Sequence, residues 1–408
     1  MQLHFNAISE AGLPGPKWKK IFDLYWPAYQ AWLTSKGTAY VPDLQTSQAA
    51  LKKYMPKMWP TYKRLCKLTN ADPVAARFLT GFQPPAYISA CSQAVTVAKT
   101  VQLVRNYDYH PDLMEGTLLL SAWNGKKVIA TSDCLIGAID GMNEDGLAIS
   151  LTFGGRKAVG EGFGIPFILR YVLEFCSNVE EAVATLSAIP SHISYNVTVV
   201  DPSGAFKTVR LSPDRAPVIT DAAFATNHQG TVDWPENALF NKTVERADFL
   251  EDLLIAKQVD AQQVAAAFLR PPLYNTLFTQ GFGTLYTAVY NPLARTVQVR
   301  WPQTDILVSF DHFTETYKLI TYDQPALLPQ TDAVAPVLTE AQAPTSSPAD
   351  WQEVVADVLV DTTVVSVPPE HKTKLKTLRK NIIRRGEISW EILVDYWAKA
   401  GEAYWKKW

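Results

Sequence analysis

A cysteine, an arginine and an aspartate fall within one short stretch, Cys91 to Asp108, which reads CSQAVTVAKTVQLVRNYD. Ala94, Val95, Val97, Val101, Leu103 and Val104 are mostly strand formers, and Ala98-Lys99-Thr100 is a polar break of hairpin-loop length. Two adjacent antiparallel strands of this length return Arg105 and Asp108 to the neighbourhood of Cys91. A thiol, a guanidinium and a carboxylate gathered in one pocket suit a cysteine nucleophile. The approach to it, Gly81 to Ala90, contains Pro84 and Pro85, which exclude a continuing helix and favour an extended chain. An exposed, extended Ser89-Ala90-Cys91 is a place where the polypeptide could be cut.

The remaining cysteines lack such company. Cysteine is commonly a small buried hydrophobe, and Cys66 has no motif around it. Cys176 closes the apolar helical run from Ile165 and reads as core; Cys134, after Ser132-Asp133 near a strand end, reads as packing and is the fallback nucleophile. Arg105 and Asp108 also fit a purely structural ion pair. No His-Glu-x-x-His or Cys-x-x-Cys pattern suggests a metal, and no Gly-x-x-x-x-Gly-Lys loop or Gly-x-Ser-x-Gly elbow is present. Gly160-Glu161-Gly162-Phe163-Gly164 reads as a flexible loop near a substrate pocket.

Four segments in order, Cys91, then Arg105-Asn106-Tyr107-Asp108, then Gly141-Met142-Asn143-Glu144-Asp145-Gly146-Leu147-Ala148-Ile149-Ser150, then Ala225-Thr226-Asn227-His228, resemble the autoproteolytic cysteine Ntn-hydrolases. The resemblance covers roughly residues 80 to 310. Within that group the chain is most similar to the acyl-coenzyme A:6-aminopenicillanic acid acyltransferases (peptidase C45-like), and more distantly to the choloylglycine hydrolases and penicillin V acylases. The resemblance implies that a precursor cuts itself between Ala90 and Cys91, so that Cys91 becomes N-terminal. Its new α-amine, with a reference pKa of about 7.7 to 8.0, is then the general base for its own thiol. The implied roles are Cys91 as nucleophile, Asp108 holding the α-amine, Arg105 lowering the thiol pKa, and the Asn227 amide donating to the oxyanion. A second oxyanion donor falls around Thr152 or Phe153. Tyr107, Thr152 and Phe153 are candidate substrate contacts, and Tyr109 and Phe163 are further candidates for lining an acyl pocket. A Cys91–His228 dyad ranks below the α-amine because the family uses no histidine. Choloylglycine hydrolases also carry a late arginine at the reacting centre; no motif here matches it, and Arg270 lies outside any.

The function so implied is a self-processing N-terminal-cysteine amidohydrolase or acyltransferase. It acts through a thioester on the amide of a small N-acylated substrate, with an acyl-CoA as a candidate donor and no cofactor. The alternative is a non-catalytic interaction protein that keeps the scaffold and binds through its aromatic helices and basic tail.

The elements that must position these residues fall into segments. Residues 1–90 read as a helical pro-segment that stays bound after cleavage. Trp18, Phe22, Trp26, Tyr29 and Trp32 recur at helical steps, as do Leu51, Tyr54, Met58, Tyr62 and Leu65, and both stripes read as packing faces rather than ligand surfaces. Residues 91–323 are expected to form the catalytic domain. Strands are expected at 93–98, 101–107, 117–122, 126–131, 135–140, 146–152, 195–200, 205–211 and 217–225, with a last hairpin at 283–290 and 295–301. Helices are expected at 164–177, 179–188, 236–256 and 260–269. The fold class is α+β, and the resemblance implies the four-layer αββα Ntn sandwich. Residues 324–350, rich in Pro, Ala and Thr, read as a linker, and 351–408 as a helical extension with a basic segment from His371 to Arg385 and an aromatic end at Trp405 and Trp408.

Composition bounds the rest. The 408 residues are 47% hydrophobic and 19% charged, enough for a large core. A net charge of -2 gives no pull toward nucleic acid. No apolar run reaches membrane-spanning length, and the start lacks a signal-peptide pattern, so the cytoplasm is the expected location. Four unclustered cysteines make no disulfide framework. Association of the cleaved pieces with one another is expected, and a homo-oligomer is a candidate state.

Overall fold

The computed structural model describes residues 1–10, 12–35, 42–87, 89–97, 99–257, 259–278 and 282–322. The chain divides into two units, Met1–Ala326 and Leu327–Trp408. The second lies outside the described residues, and with it the expected linker and helical extension.

The N-terminal segment is not wholly helical. Gln2–Glu10 forms a strand, β1, before α1 (Pro16–Thr34), α2 (Leu44–Tyr54), α3 (Trp59–Thr69) and α4 (Pro73–Phe78). In β1, Leu3, Phe5 and Ala7 alternate with polar neighbours, and Phe5 and Ala7 are completely buried, a period-two pattern that suits a strand. The end of β1 also starts α1. Gly15 offers no side-chain cap, so the Glu10 carboxylate accepts from the backbone N–H groups of Gly15, Lys17 and Trp18 at 2.9, 2.9 and 3.1 Å. The aromatic stripe of α1 packs inward: Trp18 is fully buried, rests edge-on to Trp123, and donates from Nε1 to the Leu135 carbonyl at 2.9 Å.

The strands after the N-terminal segment are β2 (Ala90–Thr96), β3 (Gln102–Tyr109), β4 (Thr117–Ser121), β5 (Val128–Asp133), β6 (Gly137–Asn143) and β7 (Ala148–Phe153). They continue with β8 (Tyr195–Val200), β9 (Phe206–Leu211), β10 (Val218–Thr220), β11 (Phe224–Ala225), β12 (Gly283–Asn291), β13 (Thr296–Trp301), β14 (Thr304–Ser309) and β15 (Thr316–Thr321). Among the described residues they form two sheets. One has the order β10-β9-β8-β7-β6-β5-β4-β1-β15, the other β11-β2-β3-β12-β13-β14. The expected strand 217–225 is therefore two strands in different sheets: a bend at Asp221-Ala222-Ala223 carries the chain from β9 across to β2. β14 and β15 were not anticipated from the sequence; β15 closes against β1.

The sheets meet through side chains. Gln93 of β2 donates to the Asn196 carbonyl at 3.2 Å and to Thr198 Oγ1 at 2.8 Å, and accepts from Ser150 on β7. Helices α5 (Ile165–Phe175) and α6 (Val179–Ala188) pack on the larger sheet. Gly137 and Gly141 admit α5 to β6: an added Cβ would lie 2.3 Å from Pro166 and 2.8 Å from Leu173. Asn143, the last residue of β6, donates to the Leu173 and Cys176 carbonyls at 3.0 and 2.7 Å and closes the end of α5.

On the smaller sheet, α8 (Thr243–Glu251) and α9 (Ala261–Ala267) cover Ala94, Val104 and Val289 with Leu250, Val264 and Phe268. The single helix expected at 236–256 breaks into α7 (Pro235–Asn241) and α8 at Lys242, whose φ of 52° is left-handed and ends a helical run.

Candidate active site

The β2–β3 hairpin sets the geometry. Its register puts Cys91 opposite Tyr107, Gln93 opposite Arg105, and Ala90 opposite Asp108. Directly opposed residues share a face, so Cys91, Gln93, Arg105 and Tyr107 point toward the larger sheet, while Ala90, Ser92, Asn106 and Asp108 face the helices. The three-residue step from Arg105 to Asp108 thus places guanidinium and carboxylate on opposite faces of one strand. They approach Cys91 from two sides and form no pair with each other.

Cys91 is fully buried, and Ser89 and Ala90 before it are buried too, so the segment expected to be exposed is closed off from solvent. Arg105 Nη2 lies 3.0 Å from Cys91 Sγ. The rest of that guanidinium is fixed: Nε donates to the Leu151 carbonyl at 2.9 Å, and Nη1 pairs with Asp140 and reaches the Tyr286 hydroxyl at 3.3 Å. Asp140 also accepts from the hydroxyls of Tyr286 and Tyr290. Burial opposes the charge on Arg105, but Cys91, Tyr286 and Asp140 outweigh it and hold its pKa well above the usual arginine range. The guanidinium lies over the Tyr107 ring, 4.8 Å from its centre.

On the other face is a residue that the sequence reading missed. Arg246, on α8, donates from Nη1 to the Cys91 carbonyl at 2.6 Å and to Ser92 Oγ at 2.7 Å. Its Nη2 donates to Asn227 Oδ1 at 2.6 Å, and Nη1 stands 3.8 Å from the Asp108 carboxylate. Nothing in the local spacing marks it; the one available signal was an arginine within a helix whose inward face includes Leu250.

Asn227 also accepts from the Cys91 N–H at 3.2 Å. With two donors on its oxygen, its amide nitrogen turns the other way, to the Phe153 carbonyl at 3.2 Å. Asn227 thus holds the Cys91 backbone nitrogen through its side-chain oxygen. Asp108 accepts from Thr284 Oγ1 at 2.7 Å; burial pushes its pKa up to about 6, with Arg246 and Thr284 opposing. The Cys91 thiol is raised by burial, against Arg105, so the expected lowering by Arg105 is present but does not win in the closed interior.

The other expected positions separate. Tyr107 lies beside Cys91 and is buried, and the Phe153 carbonyl touches Asn227. Thr152 Oγ1 donates to the Thr226 carbonyl at 2.7 Å and accepts from Asn196, holding the strand that delivers Asn227. Tyr109 is half-buried against Tyr107 and Tyr87. Phe163 is packed between Tyr54 and Phe82, and the glycine-rich stretch around it is pinned, with the Gly160 and Phe163 N–H groups bonded to the His192 and Pro190 carbonyls. The expected flexible loop beside a substrate pocket is thus a packed one. The His228 ring is engaged with Thr243 and Thr226 at 3.0 and 3.3 Å, and burial with Arg210 and Arg246 lowers its pKa. Cys134 is buried in a turn, and burial with Asp133 and Glu115 raises its pKa well above the usual thiol value. That environment does not suit a nucleophile.

Among the described residues no group of three or more His, Cys, Asp or Glu is placed to hold a metal, and no helix is long and apolar enough to cross a membrane.

The profile of the acyl-coenzyme A:6-aminopenicillanic acid acyl-transferase family matches residues 96–305, more than half of the chain, and the chain belongs to that family. Membership supports an Ntn-type acyltransferase or amidohydrolase. Cys91 lies just before the matched stretch.

Solved structures similar to this one include a mutant of conjugated bile acid hydrolase from Clostridium perfringens. It is 14% identical, covers 57% of this chain and 97% of that one, and has a TM-score of 0.37. Another is penicillin V acylase from Agrobacterium tumefaciens, 16% identical over 54% of this chain and 86% of that one, with a TM-score of 0.35. No curated protein matches.

Proposed function

We propose that the chain is an N-terminal-cysteine acyltransferase or amidohydrolase that activates itself by cutting Ala90-Cys91. The observation that carries this reading is the convergence on one residue: Arg105 on the Cys91 sulfur, Arg246 on its carbonyl, and Asn227 on its nitrogen. A merely buried cysteine needs none of these. Helices on the outer faces of two facing sheets fit the αββα Ntn sandwich, with β1 added to one sheet from the N-terminal segment.

In the first step Cys91 Sγ attacks the Ala90 carbonyl carbon, and the C–N bond breaks as the Cys91 nitrogen takes the thiol proton. Water then hydrolyses the thioester, leaving a carboxylate on Ala90 and a free amine and thiol on Cys91. In turnover the same sulfur attacks the carbonyl of a small acylated substrate; the α-amine accepts the thiol proton and passes it to the departing amine as the substrate's C–N bond breaks, leaving the acyl group on sulfur as a thioester. Asp108 orients that amine; Arg105 supports the thiolate once the closed interior opens. Asn227 Nδ2, in its long bond to the Phe153 carbonyl, exchanges that partner for the oxyanion. Tyr107 and Phe153 flank the acyl group, and water or an amine takes it; an acyl-CoA is a candidate donor.

Intact mass of the purified protein tests the reading. Two polypeptides divided at Ala90-Cys91, and one uncut chain in Cys91→Ala, are expected. A persistently single wild-type chain that still turns over acylated amines would overturn it.

A further inference from the structure

We propose that Glu115 and Asp133 hold one proton between them at the Tyr29 hydroxyl and form a pH-sensitive clasp between α1 and the larger sheet, closed while that proton is present and loosened when it leaves. Both carboxyl groups are buried, at 4% and 8% exposure. The Tyr29 hydroxyl, reaching in from α1, stands 2.5 Å from Glu115 Oε1 and 3.1 Å from Asp133 Oδ1, and accepts from the Cys134 N–H at 2.9 Å. One phenolic proton serves one carboxylate, so the other oxygen pair sets acceptor against acceptor unless a carboxyl carries a proton of its own.

The surroundings favour that proton. Glu115 accepts from Ser132 Oγ at 2.7 Å and from the Leu135 N–H at 2.8 Å, and Asp133 accepts from the Cys134 N–H at 2.9 Å. All three donors are neutral. Arg105, on β3, favours the charged form of Asp133 but acts on it more weakly than Glu115 does. Arg77 of α4 lines a small cavity with Cys134, and its Nε and Nη2 reach no partner among the described residues. The phenols of Tyr87, Tyr107, Tyr109 and Tyr195 and the Cys134 thiol also face Asp133, and burial with that carboxylate keeps each of them neutral. Burial raises both carboxyl groups, Asp133 to about 7 with Glu115 adding to the rise. A group raised on folding stabilises fully below the ordinary carboxylate range and ceases to as pH climbs through its folded value, so the clasp slackens above about pH 7.

The part of α1 that it holds can move by itself. Pro27 lies within the helix and has no N–H to bond back along it. Beyond it, Tyr29 packs on Phe78 and Trp32, and Trp32 stands edge-on to Tyr87, just ahead of Ala90. The clasp thus couples pH to the segment before Cys91 through packing.

Two measurements on the wild-type protein test this, whether or not Ala90-Cys91 is cut. Infrared difference spectra between about pH 6 and about pH 9 are expected to lose a protonated-carboxyl stretch that Glu115→Gln removes. Hydrogen exchange, corrected for its intrinsic pH dependence, is expected to show opening around Tyr29 in α1 that rises up to about tenfold per pH unit above about pH 7. Glu115→Gln leaves a single carboxylate for the phenolic proton and should flatten that rise, as should Asp133→Asn. A poorly folding variant leaves the other variant and both wild-type measurements to decide. A flat exchange profile in the wild type, no titrating carboxyl stretch, or a slope that both variants keep overturns the clasp.

Discussion

Cys91 and Cys134 are both buried thiols at strand ends, and burial raises both, yet their surroundings have opposite sign. Cys91 lies in regular strand with one arginine on its sulfur and another on its carbonyl. Cys134 sits at φ 53°, followed by Leu135 at φ 67°, in a left-handed turn held by acids and a phenol. Its N–H donates to Asp133 and to the Tyr29 hydroxyl, each at 2.9 Å, while the Leu135 N–H donates to Glu115 at 2.8 Å. Burial acts alike on both thiols, so what distinguishes them is the sign of the fixed charge nearby, and the role proposed for Cys91 rests on that difference.

The largest effect that would break this contrast is at Cys91 itself. Cys91→Ala is expected to lower turnover by on the order of 10⁶-fold, measured by release of amine from an acylated substrate. Retained turnover would hand the chemistry to another group. Next comes Arg246→Met, which strips partners from Asn227 Oδ1, the Cys91 carbonyl and Asp108 at once. Denaturant unfolding should register a loss of about 3–5 kcal/mol, the cost of removing one member of a buried charged pair. A loss under 1 kcal/mol would mean that the Arg246 contacts are dispensable.

Asn227→Ala should slow acyl transfer by the equivalent of about 2.7–4 kcal/mol with a smaller change in KM. An effect confined to KM would reassign Asn227 to substrate binding. The fourth prediction concerns pH. Because the folded state lifts Asp108 to about 6, its contribution to stability is full below the unfolded carboxylate pKa and is lost as pH rises through about 6. In the uncut Cys91→Ala chain, the melting midpoint should therefore fall between pH 4.5 and 7. Asp133, raised to about 7, acts in the same direction, so Asp108→Asn should flatten only part of the slope. A slope unchanged by Asp108→Asn would remove Asp108 from the account. The smallest effect is reserved for Cys134→Ala: turnover within about twofold and a stability change near 1 kcal/mol.

Much of the site was legible because it is local. The hairpin from Cys91 to Asp108 announces itself by strand formers around a polar break, and helix 179–188 has the bounds expected of it. What escaped notice depends on long-range pairing or on a helix face. Arg246 reaches the site from α8 with no spacing that ties it to Cys91. The strand β1 was hidden by the aromatic helix after it, although Leu3, Phe5 and Ala7 alternate correctly. The division of 217–225 between two sheets has no local signal, since Val218 and Phe224 are equally good strand residues. Asp140, the carboxylate that fixes Arg105, lies in a plain strand, where only the opposite sheet reveals its purpose.

The first strand carries one last implication. β1 runs between β4 and β15, bonded on both edges, and Phe5 reaches into the interior against Tyr286 and Trp301. Were the polypeptide divided between positions 90 and 91, by its own chemistry or by a split gene, each product would hold strands that the other requires. Reassembly after denaturation would then be a bimolecular event, its yield rising with the concentration of the complementary piece, whereas the undivided chain would refold at a rate indifferent to dilution.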